Sequence, residues 1–229
     1  MAYKELDMTI SKEAVAMQKE ARRFAMEVLR PVGIELDQLS DPSDVIANGS
    51  PLWDTMKKYR EMDLHLIEFP EALGGLGDMD PMAFMLINEE MAYGDVGLAI
   101  SLGVSSWPFS LAANMPDPEL QDLARAFCED REGKLIGCWC MMEPEHGSDW
   151  VLSAHPGFDD PKKVGVPSVA AVTKGEEYII IGQKAAWVSN GTIATQGVVH
   201  LNLDPGLGMR GDGVAFVPLD LPGVSRGTP

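Results

Sequence analysis

Basic residues are scarce in this chain: 18 Lys and Arg stand against 35 Asp and Glu, for a formal net charge of −17. So acidic a surface repels phosphate backbones, which argues against nucleic-acid binding and requires any anionic ligand to be held by local donors. Cysteine is scarcer still. Cys128, Cys138 and Cys140 are an odd count without disulfide-like spacing, the usage of a reducing compartment. Cys138-x-Cys140 has no second Cys or His pair at zinc-ligand spacing, and His65, His155 and His200 are scattered, so structural roles are expected and no metal. The opening "MAYKELDMTISKEAV" has no apolar core of signal-peptide length, and no unbroken run of about 18 apolar residues follows, so the expectation is a cytoplasmic protein without a membrane span. Internal repeats and low-complexity tracts are missing too. "LPGVSRGTP" follows directly on a strand pattern, so the expectation is a sheet that closes on itself, is covered by another chain, or belongs to a longer protein.

What is present suffices for a core. Of 229 residues, 45% are hydrophobic and 23% charged, the balance of a globular chain with one large domain or two small ones. "TISKEAVAMQKEARRFAMEVL" carries Ala14, Met17, Ala21, Phe24, Val28 and Leu29 at three- and four-residue steps and predicts a helix ended by Pro31. Ser50-Pro51, Asp80-Pro81 and Asp117-Pro118 each have the cap-then-proline form of a helix start. The run 94–110 also reads as helical despite its glycines. After Gly133 the pattern changes to short stretches rich in β-branched and aromatic residues, at 134–142, 168–173, 178–181, 185–190, 197–203 and 213–219, with a surface loop at 159–166. Helices first and strands afterwards predict an α+β fold rather than a βαβ sheet: a helical domain over 1–132, then an antiparallel sheet or barrel over 133–229.

"EPEHGSDW" at 143–150 concentrates the side chains of hydrolase chemistry. A serine hydrolase using Ser148 and His146 is one reading, but triad members seldom meet as sequence neighbours and the G-x-S-x-G elbow is missing. A second is a polar turn after the first strand. A third is a cofactor- or anion-holding loop, in which Pro144 fixes one φ, Gly147 lets the backbone come close, and Ser148 offers a hydroxyl and an N–H. "GGLG" at 74–77 lacks phosphate-loop spacing and reads as a turn between helices. Trp187 beside Ser189 and Asn190 is either core or the flank of a flat aromatic cofactor.

Taken in order, four stretches resemble the acyl-CoA dehydrogenase family of flavoproteins. "EFPEALGGLGDMDPMAFMLINEEMAYGD" is similar to that family's F-P-E-x-x-G-G-x-G segment and following helix. "GCWCMMEPEHGSDW" resembles its T-E-P-x-A-G-S-D motif, "YIIIGQKAAWVSNG" its N-G-x-K-x-W-I-T-N-G strand, and "DGVAFVPLDLPGVSRG" the strand ending in D-x-P-G-V. The resemblance runs from about residue 10 to the end. It implies a helical domain followed by a β-domain that binds FAD, with an acyl-CoA thioester against the flavin and electrons passing to an electron-transferring flavoprotein. It implies cofactor contacts at Trp139, Met141, Met142, Ser148, Trp187 and Ser189, substrate contacts at Gly147 and Ser148, and a turn shaped by Glu143, Pro144, Gly147 and Asp149.

Three departures stand out, one of them the bulk of Glu145 and His146 where that loop of the family usually has small residues. Met142 replaces the family's usual threonine, and a thioether cannot donate the hydrogen bond that the hydroxyl would. The C-terminal helical bundle, which carries the family's catalytic glutamate, has no counterpart, so no catalytic residue is assigned within this chain. Either a second polypeptide supplies that half or the sequence is a piece of a longer protein. The expectation favoured is the N-terminal half of an FAD-dependent dehydrogenase, working as a hetero-oligomer with a complementary C-terminal-half subunit, with self-association as the other possibility. The alternative is a non-catalytic, flavin-free partner subunit.

Overall fold

The computed structural model describes residues 10–147 and 167–228. Ser148, Asp149, His155 and the expected loop at 159–166 lie outside the described residues. Ser11 opens the first helix, its hydroxyl accepting from the Ala14 N–H at 3.0 Å, and α1 runs Lys12–Phe24. The stop expected at Pro31 does not occur. Ala25–Leu29 form a wide π turn, the Arg30 N–H bonds Ala25 O five residues back, and α2 continues as Arg30–Asp37. Proline breaks a helix by lacking an N–H and crowding the carbonyl four residues earlier; the widened turn shifts that register and puts Pro31 at a helix start.

The three cap-then-proline pairs behave as expected. Ser50, Asp80 and Asp117 accept backbone N–H groups at the heads of α4 (Pro51–Glu61), α5 (Pro81–Gly94) and α8 (Pro118–Glu129), and Asp41 does the same for a short α3 (Pro42–Val45). The run 94–110 is helical as α6 (Val96–Val104) and α7 (Trp107–Ala113). Val96–Ala113 is long and apolar enough, by length and composition only, to cross a membrane. Ser105 and Ser106 break it between the two helices, and Leu98, Leu102, Phe109 and Ala112 are buried in the protein, as in core helices.

The chain divides into two compact units, Met1–Gly103 with Pro116–Gly133, and Val104–Met115 with Lys134–Pro229. In the first, Ala14, Ala21, Phe24 and Leu29 pack with Ala83, Ile87 and Met91 of α5. Glu90 is buried on α5, where Gln18 donates to it at 2.8 Å and Arg22 forms an ion pair with it. Arg60 lies 3.9 Å over the Phe127 ring, and the His65 Nε2–H donates to Cys128 O at 3.3 Å. "GGLG" is a turn: the Gly77 N–H bonds Phe69 O at 3.0 Å, and a Cβ on Gly75 would stand 2.0 Å from that same oxygen.

Among the described residues the second unit holds five strands, β1 (Gly137–Cys140), β2 (Ala170–Lys174), β3 (Glu177–Ile181), β4 (Gln196–Asn202) and β5 (Asp212–Pro218). The sheet is mixed, not antiparallel throughout. β1 pairs β4 in parallel from Gly137↔Gln196 to Cys140↔Val199, and β2 meets β4 in parallel at Ala170↔Asn202. The pairs β2–β3 and β4–β5 are antiparallel. Because β5 occupies one edge of β4 along its whole length, β1 and β2 share the other edge, end to end. The described strands form an open sheet in the order β1-β4-β2-β3 rather than a barrel. Residues 185–190, expected as a sixth strand, are not one. β4 is buried nearly throughout, which is why "GVVHLNL" reads as almost continuously apolar. α7 closes against the start of β1: the Gly137 N–H donates to Ser105 O at 3.0 Å, and Trp107 meets Trp139 edge-on with ring centroids 5.8 Å apart.

Candidate functional site

The chain turns out of the sheet just after β1. The Met141 N–H bonds back to Trp139 O at 3.1 Å, and Glu143 and His146 then close a turn on each other, Glu143 N–H to His146 O at 2.9 Å and His146 N–H to Glu143 O at 3.3 Å. The Glu143 side chain points inward and is 4% exposed. Its Oε1 accepts from Lys184 Nζ at 2.8 Å and the Val169 N–H at 3.2 Å; its Oε2 accepts from the Ser168 N–H at 2.6 Å and the Ser168 hydroxyl at 3.0 Å. Lys184 Nζ also donates to Met141 O at 3.1 Å.

Burial alone would raise the Glu143 carboxyl, but Lys184 and the two Ser168 donors outweigh it and hold the group below the usual carboxylate range. Burial pulls Lys184 below the usual lysine range, with Glu143 holding part of it back. A buried carboxylate is tolerated only when its lone pairs are met in this way. Glu143 is therefore a clamp joining the β1 exit, the start of β2 and the segment after β3. It has no free lone pair to act as a base.

That last segment lies beside the loop. The Ala185 N–H donates to Met142 O at 2.9 Å, and Asn190, in the left-handed region at φ 63°, anchors its far end through Nδ2 to Gly137 O at 3.2 Å. Between them Trp187 is 86% exposed, and Ser189 is exposed as well. Met141 and Met142 are half-buried. Gly147 adopts no left-handed φ, and a Cβ there would meet only Met142 Sδ, at an ordinary 3.7 Å. Among the described residues none crowds that position.

Trp139 is used differently. Its Nε1–H donates to His200 Nε2 at 2.8 Å, and the ring packs between Trp107 and His200. An indole can only donate, so His200 is neutral with its proton on Nδ1, in keeping with a pKa lowered by burial and by Lys184. The structure thus gathers Met141, Met142, Gly147, Trp187 and Ser189 on two adjoining segments, with Trp139 packed at the root of one. Ser148 lies outside the described residues. Sequence reading did not assign Lys184 a role; the signal was its place in "GQKAAW", a charged residue inside an apolar stretch with an unpaired glutamate earlier in the chain.

Residues 11–115 match the family described as acyl-CoA dehydrogenase, N-terminal domain. The mitochondrial short-chain specific acyl-CoA dehydrogenase of Rattus norvegicus is 26% identical over 213 residues, which are 92% of this chain and 45% of that protein. The probable acyl-CoA dehydrogenase YngJ of Bacillus subtilis is 27% identical over 234 residues, 98% of this chain and 52% of its own. Among solved structures, the glutaryl-coenzyme A dehydrogenase–glutaryl-CoA complex superposes with a TM-score of 0.74 at 23% identity, covering 95% of this chain and 50% of that one. PigA with FAD and proline gives 0.73 at 21% identity, over 95% and 51%. The chain spans about half the length of the relatives it matches.

Proposed function

We propose, on the premise that this chain belongs through residues 11–115 to the acyl-CoA dehydrogenase family and carries that fold onward, that it contributes the flavin-facing portion of an FAD-dependent dehydrogenase acting on the α,β-carbons of an acyl-CoA thioester. The observation carrying this reading is the pair of adjoining segments, locked at Ala185 N–H to Met142 O, one carrying an exposed indole and the other a glycine uncrowded by the described residues. A planar aromatic cofactor needs such a surface: an apolar face to lie on and a backbone it can approach.

The residues present fit a flavin on those terms. Met141, Met142, Trp187 and Ser189 would hold the ring system, with Trp139 behind them, and Gly147 and Ser148 would meet the phosphate or the thioester. FAD, when bound, supplies the hydride acceptor. The chain's own residues orient it. Trp187 excludes water from one flank, the Glu143–Lys184 clamp fixes the loop, and the half-buried thioethers give an apolar, adaptable contact where a hydroxyl would have donated.

The base and the remaining fold would come from a second polypeptide, and the electrons would pass to an electron-transferring flavoprotein. The β2–β3 hairpin supports a second chain, since its apolar residues are exposed: Tyr178 66%, Ile181 59% and Val172 52%. Purification of the native complex tests the reading. A yellow complex that bleaches on addition of an acyl-CoA is expected; a colourless one whose partner is fully active without this chain would instead establish a flavin-free partner subunit, the alternative favoured by Met142.

A further inference from the structure

On an extended strand, residues two apart share a face. β1 thereby brings Cys138 and Cys140 together on the face opposite Trp139, with their Sγ atoms 3.5 Å apart. Gly197 on β4 pairs with Cys138, and a Cβ there would stand 3.5 Å from the Cys138 sulfur and 3.6 Å from that of Cys140. The residue facing both sulfurs thus has no side chain to separate or cover them. All three cysteines are free thiols.

We propose that Cys138 and Cys140 form a dithiol modification site, oxidised by a hydroperoxide to an intrachain disulfide and restored by thiols. The sulfurs must close from 3.5 Å to the roughly 2.05 Å of a disulfide bond. Cys140 is the entry point, being 8% exposed where Cys138 is fully buried. The hydrogen bond between the two sulfurs and Lys184 favour deprotonation of Cys140 against the cost of burial, while that bond and burial disfavour deprotonation of Cys138.

The Cys140 thiolate attacks the peroxide O–O bond, giving a sulfenic acid and hydroxide, which takes a proton to become water. The Cys138 sulfur then displaces the sulfenic hydroxyl, which leaves as water with the Cys138 proton. In sum, two thiols lose two electrons and two protons to one hydrogen peroxide, yielding one disulfide and two waters. The bond joins the residues on either side of Trp139 and so strains β1 beneath it. The site stands independently of the flavin reading.

The test is peroxide treatment of the folded full-length chain, then digestion and mass spectrometry. The peptide holding Cys138 and Cys140 is expected two hydrogens lighter, reversibly with dithiothreitol, with Cys128 unmodified and the Trp fluorescence shifted. A Cys138→Ser variant should accumulate a dimedone-trappable sulfenic acid at Cys140, and Cys140→Ser should react at least about tenfold more slowly than wild type. Oxygen added to a single cysteine of the wild-type chain without loss of two hydrogens would overturn the proposal. So would three intact thiols after excess peroxide, or equal reaction at Cys128. The wild-type mass decides the matter even where a variant fails to fold.

Discussion

A carboxylate that already accepts from Lys184, Ser168 and Val169 has no lone pair left for a substrate proton. Glu143→Gln should therefore act on stability first. It leaves Lys184 buried without its counter-charge, at a cost of about 3–5 kcal/mol, measurable as a lower urea midpoint. Adding Lys184→Gln should recover part of that loss, whereas additive costs would mean that the two groups are not coupled. His65 sets a pH dependence. Burial, then Arg60, lower its pKa from 6.5 to about 4. The folded state thus keeps His65 neutral where the unfolded chain would protonate it. Its contribution is complete above pH 6.5 and is lost as pH falls from there toward 4. Denaturant titrations from pH 7.5 to 4.5 should show the wild type losing up to about 3 kcal/mol more than His65→Gln, whose amide can still donate to the Cys128 carbonyl; parallel curves would remove His65 from the account. At this scale the sequence was least informative. "EPEHGSDW" lists side chains but not which way they point, and Glu143 finds its partners 25 to 41 residues further along.

Elements were more legible, because their signals are local. A capping oxygen beside a proline marks a helix head through chemistry confined to four residues, and those starts are where the pairs stand. Pro31 misled because its effect depends on the backbone before it, and the π turn at Ala25–Leu29 leaves no periodic trace. Strand direction was also hidden: short apolar runs identify strands, but which edge of β4 each one takes is decided by long-range pairing. The stretch 185–190 shares the composition of its neighbours, yet its backbone meets a loop, at Met142 O, and joins no strand ladder among the described residues. The packing of α7 on β1 gives this scale its prediction. A Cβ at Gly137 would stand 2.4 Å from Pro108 Cδ and 2.7 Å from Ser105 O, neither of which can swing away. At Gly197 the tightest contact would be the Leu219 methyl at 3.3 Å, the end of a flexible side chain. Gly137→Ala should cost about 3 kcal/mol and Gly197→Ala under about 1 kcal/mol. Equal thermal midpoints for the two variants would contradict this placement of α7.

For the whole molecule, the α+β class followed from the change of pattern near Gly133, because helix and strand periodicities differ and neither needs a partner to be seen. The assembly did not follow, since a surface made for another chain and a surface made for solvent differ only in composition. On the reading proposed above, the β2–β3 hairpin is the surface that meets a second chain. Tyr178 and Ile181 are exposed, so changing both to Lys should move the stability of the isolated chain by no more than about 0.5 kcal/mol. The same double variant should abolish co-purification of the partner chain and of flavin colour; a yellow, intact complex would show that the hairpin is not the contact. β3, at the edge of the sheet, also has a consequence for how the cell keeps this protein. Among the described strands the run Tyr178–Ile181 is paired on one side only, and, if a second polypeptide covers the other, copies made in excess of it would pair with each other or be taken by chaperones and proteases. On the proposed two-chain reading, the steady-state amount of this chain would then follow the abundance of that second polypeptide rather than the strength of its own promoter.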